Sequence, residues 1–265
     1  MSVKPAPASP RPSATILLLR EHEGEMQVLM VVRHHQIDFA SGALVFPGGK
    51  VDPRDHVPEV RARACGAADM DEAALALRAA AIREAFEESG VLLARKRGED
   101  SLVSGAELAG LQSFRDRLNA GETGIGALLE AADLELACDL LVPFAHWITP
   151  EFMPKRFDTH FFLAEAPGEH VAIHDGGESV DSVWIHPQRA LAEAEAGKWT
   201  IIFPTRMNLV KLARSGSVAE AMASARASPV VCVEPWIEQT EDGPVLCISE
   251  EAGYGAVREP LDSLR

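Results

Sequence analysis

Short apolar runs separated by polar turns predict β-strands in the first part of the chain. Residues 13–20 and 26–33 are rich in Ile, Leu and Val, and the polar turn between them contains Gly24. Two such runs joined by a glycine-containing turn are typical of a β-hairpin. Residues 43–46 indicate a further strand, which ends at Pro47-Gly48-Gly49.

A helical period follows and predicts one helix from about Asp69 to Ser89. At about 100° per residue, apolar side chains share one face of this segment. These side chains are Leu75, Ala79, Ile82 and Phe86. Asp69 is the expected N-cap residue, with Glu72 three positions on. Gly90 stands where a left-handed residue commonly ends a helix.

Three glutamates lie together on the opposite side of this helix. Residues three and four apart are neighbours on a helix surface, so Glu84, Glu87 and Glu88 form one cluster. Their like charges repel one another, and the arrangement therefore requires either solvent or a cation. Carboxylate clusters suit Mg²⁺ or Mn²⁺. A solvated acidic face on an ordinary amphipathic helix is the alternative.

The rest of the chain mixes strand and helix patterns. Residues 53–68 carry mixed charge without a clear period, which indicates a surface excursion, and residues 99–133 are predicted to be largely helical. Strands are expected at 140–148, 157–164 and 178–185. Helices are expected at 188–196 and from Pro204 through Leu212 toward Ala225, before a terminal hairpin of 230–237 and 245–248.

Composition excludes some classes of function. The 265-residue chain has a formal net charge of −15 and a pI near 5.0, which argues against binding to a nucleic-acid backbone. An acidic protein that handles phosphates needs metal ions to mask the charge. The apolar runs are too short to span a bilayer, so no membrane partner is expected. Four scattered cysteines indicate reduced thiols in a cytoplasmic protein, and residues 1–12 are expected to be a disordered lead-in.

The glycine turn and the acidic helix together resemble the signature of the Nudix hydrolases, G-x5-E-x7-R-E-U-x-E-E-x-G-U, where U is apolar. The second half of the signature is complete, in Arg83, Glu84, Ala85, Glu87, Glu88, Gly90 and Val91. Gly49 matches its start, but Arg83 lies 34 residues later instead of 14, so the motif contains about 20 extra residues. When the signature is counted back from Arg83, Leu75 occupies the position of its first glutamate. Asp71 or Glu72 is expected to take the place of that glutamate.

The run AIREAFEESGVLL and a later segment around residues 147–162 resemble one branch of this family, the larger peroxisomal coenzyme A diphosphatases. The resemblance covers roughly residues 13–212. It implies an α/β fold, a Nudix-type α/β/α sandwich with a mixed sheet. An insert is expected at about 53–68 within the motif and a helical insert at about 99–135. Residues 213–265 are expected to be a C-terminal extension packed on the same domain.

The same resemblance implies hydrolysis of a nucleoside diphosphate linked to another moiety, with Mg²⁺ or Mn²⁺ as the cofactor. Coenzyme A or an acyl derivative is the favoured substrate, followed by ADP-ribose or NADH. Asp38 stands where a coenzyme A signature of smaller relatives has an arginine, which weakens the coenzyme A interpretation. A Nudix-fold sensor that binds a nucleotide without cleaving it is the alternative. A homodimer is among the expected assemblies.

The resemblance also assigns roles within the motif. The implied metal ligands are three carboxylates and one backbone carbonyl: Glu84, Glu87, Glu88 and Gly49. Bound ions would neutralise the diphosphate and acidify a water molecule. Arg83 is counted with the catalytic residues, although anchoring a neighbouring carboxylate is its favoured role. The general base is Glu87 or another glutamate of the motif, or a loop acid such as Glu178 or Asp181.

Three more residues are candidates for substrate binding, namely Arg33, Gly48 and Arg156. Arg33 ends a predicted strand and can reach a phosphate, or it is an exposed arginine without a partner. Arg156 can contact the substrate, or it can form a surface ion pair with Glu151 or Asp158. Two groups of ring side chains are expected to be structural instead. The histidines His34, His35, His146 and His160 show no metal-ligand spacing, and Trp147 and Trp184 are expected in the core.

Overall fold

The computed structural model describes residues 8–33, 42–168 and 179–261, without the side chains of residues 33, 179 and 180. The strands in these ranges are β1 (Arg11–His22), β2 (Glu25–Arg33), β3 (Leu44–Val45), β4 (Gly48–Lys50), β5 (Ala94–Lys96), β6 (Leu134–Leu136), β7 (Val142–Ile148), β8 (Phe157–Glu165), β9 (Ser179–Ile185), β10 (Cys232–Val233), β11 (Trp236–Thr240), β12 (Gly243–Ile248) and β13 (Val257–Pro260). The α-helices are α1 (Pro58–Ala62), α2 (Glu72–Ser89), α3 (Gly105–Ala109), α4 (Gln112–Asn119), α5 (Ile125–Ala131), α6 (Pro187–Glu195), α7 (Phe203–Leu212) and α8 (Val218–Ala227). Short 3₁₀ helices occupy Pro53–His56, Cys138–Leu140 and Glu250–Ala252.

A mixed eight-stranded sheet forms the centre of the fold. Its strands run in the order β10-β7-β8-β1-β2-β3, while β4 also pairs with β1 and β9 with β2. The pairs β1–β8 and β10–β7 are parallel, and the other pairs in this sheet are antiparallel. The predicted hairpin is confirmed, with Leu19 opposite Val28. Its turn has positive φ at Glu23 and Gly24, as hairpin turns that match the strand twist require.

Helices cover both faces of this sheet because side chains alternate along its central strand. Ile16 of β1 belongs to the buried cluster that contains Phe86 of α2 and the helical segment after it. Leu17 faces the other way and packs in the cluster formed with α6, α7 and α8, for example with Leu209. The α/β/α sandwich with a mixed sheet is therefore confirmed.

The helix α2 is close to its predicted bounds. It begins two residues later than expected, because Asp71 and not Asp69 is the N-cap; the Asp71 side chain accepts a hydrogen bond from the amide of Ala74 at 2.7 Å. Gly90 ends the helix with φ of 74°, as predicted. Residues 99–133 are largely helical as expected, in α3, α4 and α5.

The two ends of the described chain differ from the sequence-based expectations. The strand β1 begins at Arg11, and the carbonyl of Ala8 already accepts a hydrogen bond from Arg156, so a lead-in through residue 12 is too long. The helix expected from Pro204 toward Ala225 is two helices, α7 and α8. The terminal hairpin is β11–β12, while β10 pairs with β7 of the main sheet.

The segment after residue 212 contributes to the same core. The indole Nε1 of Trp147 donates to the hydroxyl of Tyr254 at 2.9 Å, and that hydroxyl donates to Oδ1 of Asn208 at 2.7 Å. Trp147 is 3% exposed and Tyr254 5% exposed, which confirms Trp147 as a core residue. In the described part of the chain, no helix is both long and apolar enough to cross a membrane.

Candidate diphosphate and metal site

The glutamates of α2 do not form a solvated face. Glu84 and Glu88 are 8% and 5% exposed, and the side chain of Glu87 is 14% exposed. Removing three carboxylates from water is costly unless each is paired or binds a cation. The alternative of an ordinary acidic surface on an amphipathic helix is therefore wrong for this segment.

Arg83 is the centre of this carboxylate cluster. Its Nη1 donates to Glu84 Oε1 at 2.9 Å and to Glu87 Oε2 at 3.0 Å. Its Nη2 donates to the carbonyl of Lys50 at 2.9 Å and to Asp55 Oδ2 at 3.0 Å, and its Nε donates to Asp55 Oδ1 at 2.9 Å. All five N–H groups of the guanidinium are thus used inside the protein. Arg83 positions carboxylates, which is the favoured of its two expected roles.

Asp55 is the acid that completes the motif, and it is not among the residues predicted from the sequence. It lies six residues after Gly49, at the position that the signature gives to its first glutamate when counted forward. Its side chain is fully buried and accepts both ends of the Arg83 fork. The expected substitutes do not contact Arg83, since Asp71 caps α2 and Glu72 is exposed. The extra residues therefore follow Asp55 and do not begin at residue 53.

A short 3₁₀ turn holds Asp55 in place. The amide of Asp52 donates to Asp55 Oδ2 at 2.8 Å, while Asp52 Oδ1 accepts from the amide of Arg54 at 2.8 Å. This reciprocal capping box fixes the turn. Arg54 also donates to the carbonyl of Thr123, which ties the turn to the segment between α4 and α5. Residues 53–68, which were expected to form a surface excursion, are thus ordered where they contact the carboxylate cluster.

The glycine pair allows β4 to pass under α2. A Cβ on Gly49 would lie 2.3 Å from Glu84 Oε1, and a Cβ on Gly48 would lie 2.6 Å from the carbonyl of Ala14. Neither position can therefore accept a side chain without movement of its neighbours. The amide of Gly48 donates to Glu88 Oε2 at 3.2 Å, so it helps to hold a carboxylate. Its expected contact with substrate stays a prediction.

The helix α4 contacts the C-terminal end of α2. The carbonyls of the last helical turn lack intrahelical partners, and they carry partial negative charge. Arg115 and Asn119 of α4 satisfy one of them, donating to the carbonyl of Glu87 at 3.0 and 3.3 Å. Arg115 is 3% exposed. A basic residue within a helical segment carries no distinctive sequence signal, so this contact was not predicted.

The cluster is rich in carboxylate oxygen atoms. Asp55, Glu84 and Glu87 accept hydrogen bonds from Arg83, and Glu88 accepts one from the amide of Gly48. Burial by itself would lower the pKa of Arg83, but the neighbouring charges of Glu84, Asp55 and Glu87 outweigh it and raise that pKa above its ordinary value. The donor set is made only of oxygen, which fits a hard divalent cation such as Mg²⁺ or Mn²⁺.

The other predicted residues are not brought together with the cluster by any described contact. Arg33 ends β2, and its side chain lies outside the described part, as do His34, His35, Asp38 and Glu178. Asp181 lies on β9 and is exposed. Arg156 is buried and donates to the carbonyls of Thr149 and Ala8 and to Glu234. The ion pair of Arg156 is therefore with Glu234 and not with Glu151 or Asp158, and a substrate contact stays a prediction.

A mixed-sheet α/β/α sandwich whose acidic helix packs on a glycine turn is the architecture of a Nudix domain. The family model "NUDT19 Nudix domain" matches residues 63–212, which is more than half of the chain. The chain belongs to this Nudix hydrolase family. The expected membership, including the branch that contains acyl-coenzyme A diphosphatases, is thereby confirmed.

Individual relatives agree with this family. "Putative nudix hydrolase 7" of Caenorhabditis elegans is 31% identical over 188 residues, covering 71% of this chain and 56% of that protein. Human "Acyl-coenzyme A diphosphatase NUDT19" is 28% identical over 201 residues, covering 72% and 54%. The chain thus spans about half the length of these two relatives. The crystal structure of a NUDIX hydrolase from Alicyclobacillus acidocaldarius matches with a TM-score of 0.66 and 29% identity, covering 83% of this chain and 99% of that one.

Proposed function

We propose that the chain hydrolyses the diphosphate bond of a nucleoside diphosphate linked to another moiety, with Mg²⁺ or Mn²⁺ as cofactor. The observation that carries the proposal is the arrangement around Arg83. One buried guanidinium holds Asp55, Glu84 and Glu87 at 2.9–3.0 Å, so that an oxygen-only ligand set is fixed before any ion binds. Such preorganisation is what a site for phosphoryl chemistry needs.

Different residues of the chain have different proposed roles in metal binding and in positioning. Glu84, Glu87 and Glu88 would hold the divalent ions, and the carbonyl of Gly49 would add a ligand. When bound, these ions supply charge neutralisation for the diphosphate and a more acidic water molecule. Arg83 positions two of the carboxylates through the bonds described above. Arg115 donates to the carbonyl of Glu87 and so helps to hold the backbone of the last helical turn.

The proton from the attacking water needs an acceptor within hydrogen-bond reach. Glu87 is the proposed general base because its side chain is the most exposed of the motif glutamates, at 14%, and is held by Arg83 at 3.0 Å. Glu178 and Asp181 remain the alternatives. Asp181 Oδ1 already accepts a hydrogen bond from the amide of Ser182 at 2.8 Å.

Coenzyme A or acyl-coenzyme A is the proposed substrate. Support comes from the relatives named acyl-coenzyme A diphosphatase, in human and in Xenopus laevis, at 28% and 23% identity. ADP-ribose and NADH are the next candidates. A cytoplasmic location is proposed because all four cysteines are free in the structure, as expected in a reducing compartment.

A substrate panel tests this proposal. The purified protein is incubated with Mg²⁺ or Mn²⁺ and with coenzyme A, an acyl-coenzyme A, ADP-ribose or NADH, and the products are identified by mass spectrometry. Release of 3′,5′-ADP from coenzyme A is the expected result. Cleavage of ADP-ribose alone would show that ADP-ribose and not coenzyme A is the substrate, and it would still support diphosphate hydrolysis. Binding of these nucleotides without turnover under any metal condition would favour the sensor instead.

A further inference from the structure

Three strands bring together metal-binding side chains that are far apart in the sequence. Cys232 of β10 lies opposite His146 of β7, and His146 lies opposite His160 of β8. These three residues thus form a row across the strands at one side of the main sheet. No metal-ligand spacing is visible in the sequence for these histidines, because His146 and His160 meet across strands through the register of β7 and β8 and not along the chain.

Asp158 joins this row from the same face of the sheet. It precedes His160 by two residues on β8, and side chains two apart point to the same face of a strand. Its Oδ1 lies 2.5 Å from Nε2 of His146 and 3.6 Å from Nε2 of His160. The Sγ of Cys232 lies 4.0 Å from Nε2 of His146. Ligand atoms of His146, Asp158 and His160 all lie within 4.8 Å of one another.

The separations among His146, Asp158 and His160 approach those of a tetrahedral zinc site, whereas Cys232 stands outside this close group, with its Sγ 4.0 Å from Nε2 of His146. Metal–nitrogen bonds of about 2.0–2.1 Å and metal–sulfur bonds of about 2.3 Å give ligand–ligand edges of about 3.3–3.6 Å. The edge between Asp158 and His160 already fits, at 3.6 Å. The Cys232–His146 edge must shorten from 4.0 Å, and the His146–Asp158 edge must lengthen from 2.5 Å. Cys232 must also move closer to Asp158 and His160 for its thiolate to become the fourth ligand.

The histidine rings show what has to move. Their centroids are 4.0 Å apart and their planes differ by 19°, so the rings are stacked. The lone pair of an imidazole nitrogen lies in the ring plane, and two nearly parallel rings therefore do not aim at one ion. Binding requires each ring to turn about its Cβ–Cγ bond until the two Nε2 lone pairs converge. The partial exposure of both side chains, 20% for His146 and 34% for His160, leaves room for this rotation.

A cysteine nucleophile is the rival use of these residues, and the geometry disfavours it. In a nucleophilic triad the acid binds one ring nitrogen of histidine and the nucleophile faces the other. Here Asp158 and Cys232 both approach the same atom, Nε2 of His146. The contacts therefore do not form the acid–histidine–nucleophile order of a triad.

We propose that His146, Asp158, His160 and Cys232 bind one zinc-type transition-metal ion. Two imidazoles, a carboxylate and a thiolate form a ligand set for zinc, whereas the oxygen-only cluster around Arg83 suits Mg²⁺ or Mn²⁺. Because Cys232 lies on β10, the ion would attach this edge strand, and with it the segment after residue 212, to the central strands of the sheet.

The proposed site is separate from the glutamate cluster, although both lie along one sheet. His160 is opposite Ala14 on β1, and Ala14 is opposite Gly49 on β4. Two strand spacings, about 10 Å, therefore separate the backbone at His160 from the backbone at Gly49. A loss of zinc and a loss of Mg²⁺ can thus be measured independently.

Cobalt spectroscopy on the untagged, metal-free full chain tests the proposal. Co²⁺ is titrated in the presence of excess Mg²⁺, which occupies the oxygen sites, and Zn²⁺ is then added as competitor. The expected result is one equivalent of tetrahedral Co²⁺ with a thiolate-to-metal charge-transfer band, displaced by one equivalent of Zn²⁺. Absence of both the band and the tetrahedral signal in the wild-type chain would overturn the proposal.

Variants locate the site. Cys232→Ser is expected to abolish the charge-transfer band, and His160→Gln and Asp158→Asn to weaken Co²⁺ binding at least about tenfold. The matched controls Cys65→Ser and His22→Gln should bind Co²⁺ as the wild type does. Near-ultraviolet circular dichroism of each metal-free variant checks folding. If a ligand variant does not fold, the charge-transfer band of the wild type and its retention in Cys65→Ser still show whether a thiolate other than Cys65 binds the ion. If the folded variants Cys232→Ser and His160→Gln bind Co²⁺ as tightly as the wild type does, the assignment of these residues as metal ligands is contradicted.

Discussion

Arg83 and Asp55 form a two-pronged ion pair, in which Nε and Nη2 of the guanidinium donate to the two carboxylate oxygens at 2.9 and 3.0 Å. The two residues are 28 positions apart in the sequence, against eight in the uninterrupted signature. Both side chains are buried, at 8% and 0% exposure. The pair therefore closes the motif across its extra residues and supports the carboxylates that are proposed to hold the metal.

Replacement of Asp55 by alanine is expected to lower the free energy of unfolding by about 3 kcal/mol, because it leaves part of a buried guanidinium unpaired. Unfolding in urea, followed by circular dichroism, measures the change. The acids first expected in this role provide the controls. Glu72→Gln should change stability by less than about 0.5 kcal/mol, and Asp71→Ala should cost about 1 kcal/mol through loss of the N-cap. An Asp55→Ala cost no greater than that of Asp71→Ala would contradict the account.

Gly49→Ala tests the close approach of β4 to Glu84. The new methyl group would lie 2.3 Å from Glu84 Oε1, so the carboxylate must move away from Arg83. The expected result is a loss of Mn²⁺ affinity and of turnover of at least about tenfold, measured by titration calorimetry and by product release. Gly168→Ala is the matched control, since nothing lies within 4 Å of its Cβ position. Equal Mn²⁺ affinity in the two variants would show that Glu84 is not displaced.

The ionisation of Asp52 makes the free energy of unfolding depend on pH in the acid range. The hydrogen bond from the Arg54 side chain, more than any other cause, lowers the pKa of Asp52 from 3.8 to about 2 in the folded chain. A carboxyl whose folded pKa is depressed stabilises the protein above its unfolded pKa, and this contribution is lost as the pH falls through the folded pKa. The contribution is about 1 kcal/mol, because the pair is partly exposed to solvent.

The Asp52→Asn variant isolates this effect. The difference in unfolding free energy between wild type and variant should reach its full value above about pH 4. It should be lost as the pH falls through about 2. Urea unfolding at several pH values measures it. A difference that stays constant over this range would show that ionisation of Asp52 does not contribute.

Much of the fold was predictable from local patterns. The strand alternation of β1 and β2, the helical period of α2 and its end at Gly90 depend on neighbouring residues, so the sequence shows them directly. The Glu84, Glu87 and Glu88 cluster was visible for the same reason. The break between α7 and α8 was not predicted, because residues on both sides favour helix and only the turn at residues 213–217 separates them.

The remaining parts of the site depend on contacts between distant segments. Asp55 lies in a segment of no clear period, and its role was hidden because the register was counted only backward from Arg83. Counting forward from Gly49 would have found it. The pairing of His146 with His160 depends on the register of β7 against β8, which includes a bulge, and no local pattern reports that register.

Tyr254 is expected to couple the segment after residue 212 to the core. Tyr254→Phe leaves the buried Nε1 of Trp147 without its acceptor and Oδ1 of Asn208 without its donor. The expected cost is about 1–3 kcal/mol in the free energy of unfolding, measured by tryptophan fluorescence in urea. Trp236→Phe is the control, because Trp236 is 47% exposed. A cost for Tyr254→Phe no larger than that of the control would exclude this coupling.

The most direct test of the central claim compares turnover of coenzyme A, at saturating Mg²⁺, by wild type, Glu87→Gln and Glu72→Gln. Both substituted glutamates lie on α2, and only Glu87 belongs to the proposed metal site. We expect that Glu87→Gln retains the fold and lowers kcat at least about a hundredfold, while Glu72→Gln has the turnover of the wild type. Unchanged turnover in a folded Glu87→Gln variant would contradict the metal-site assignment.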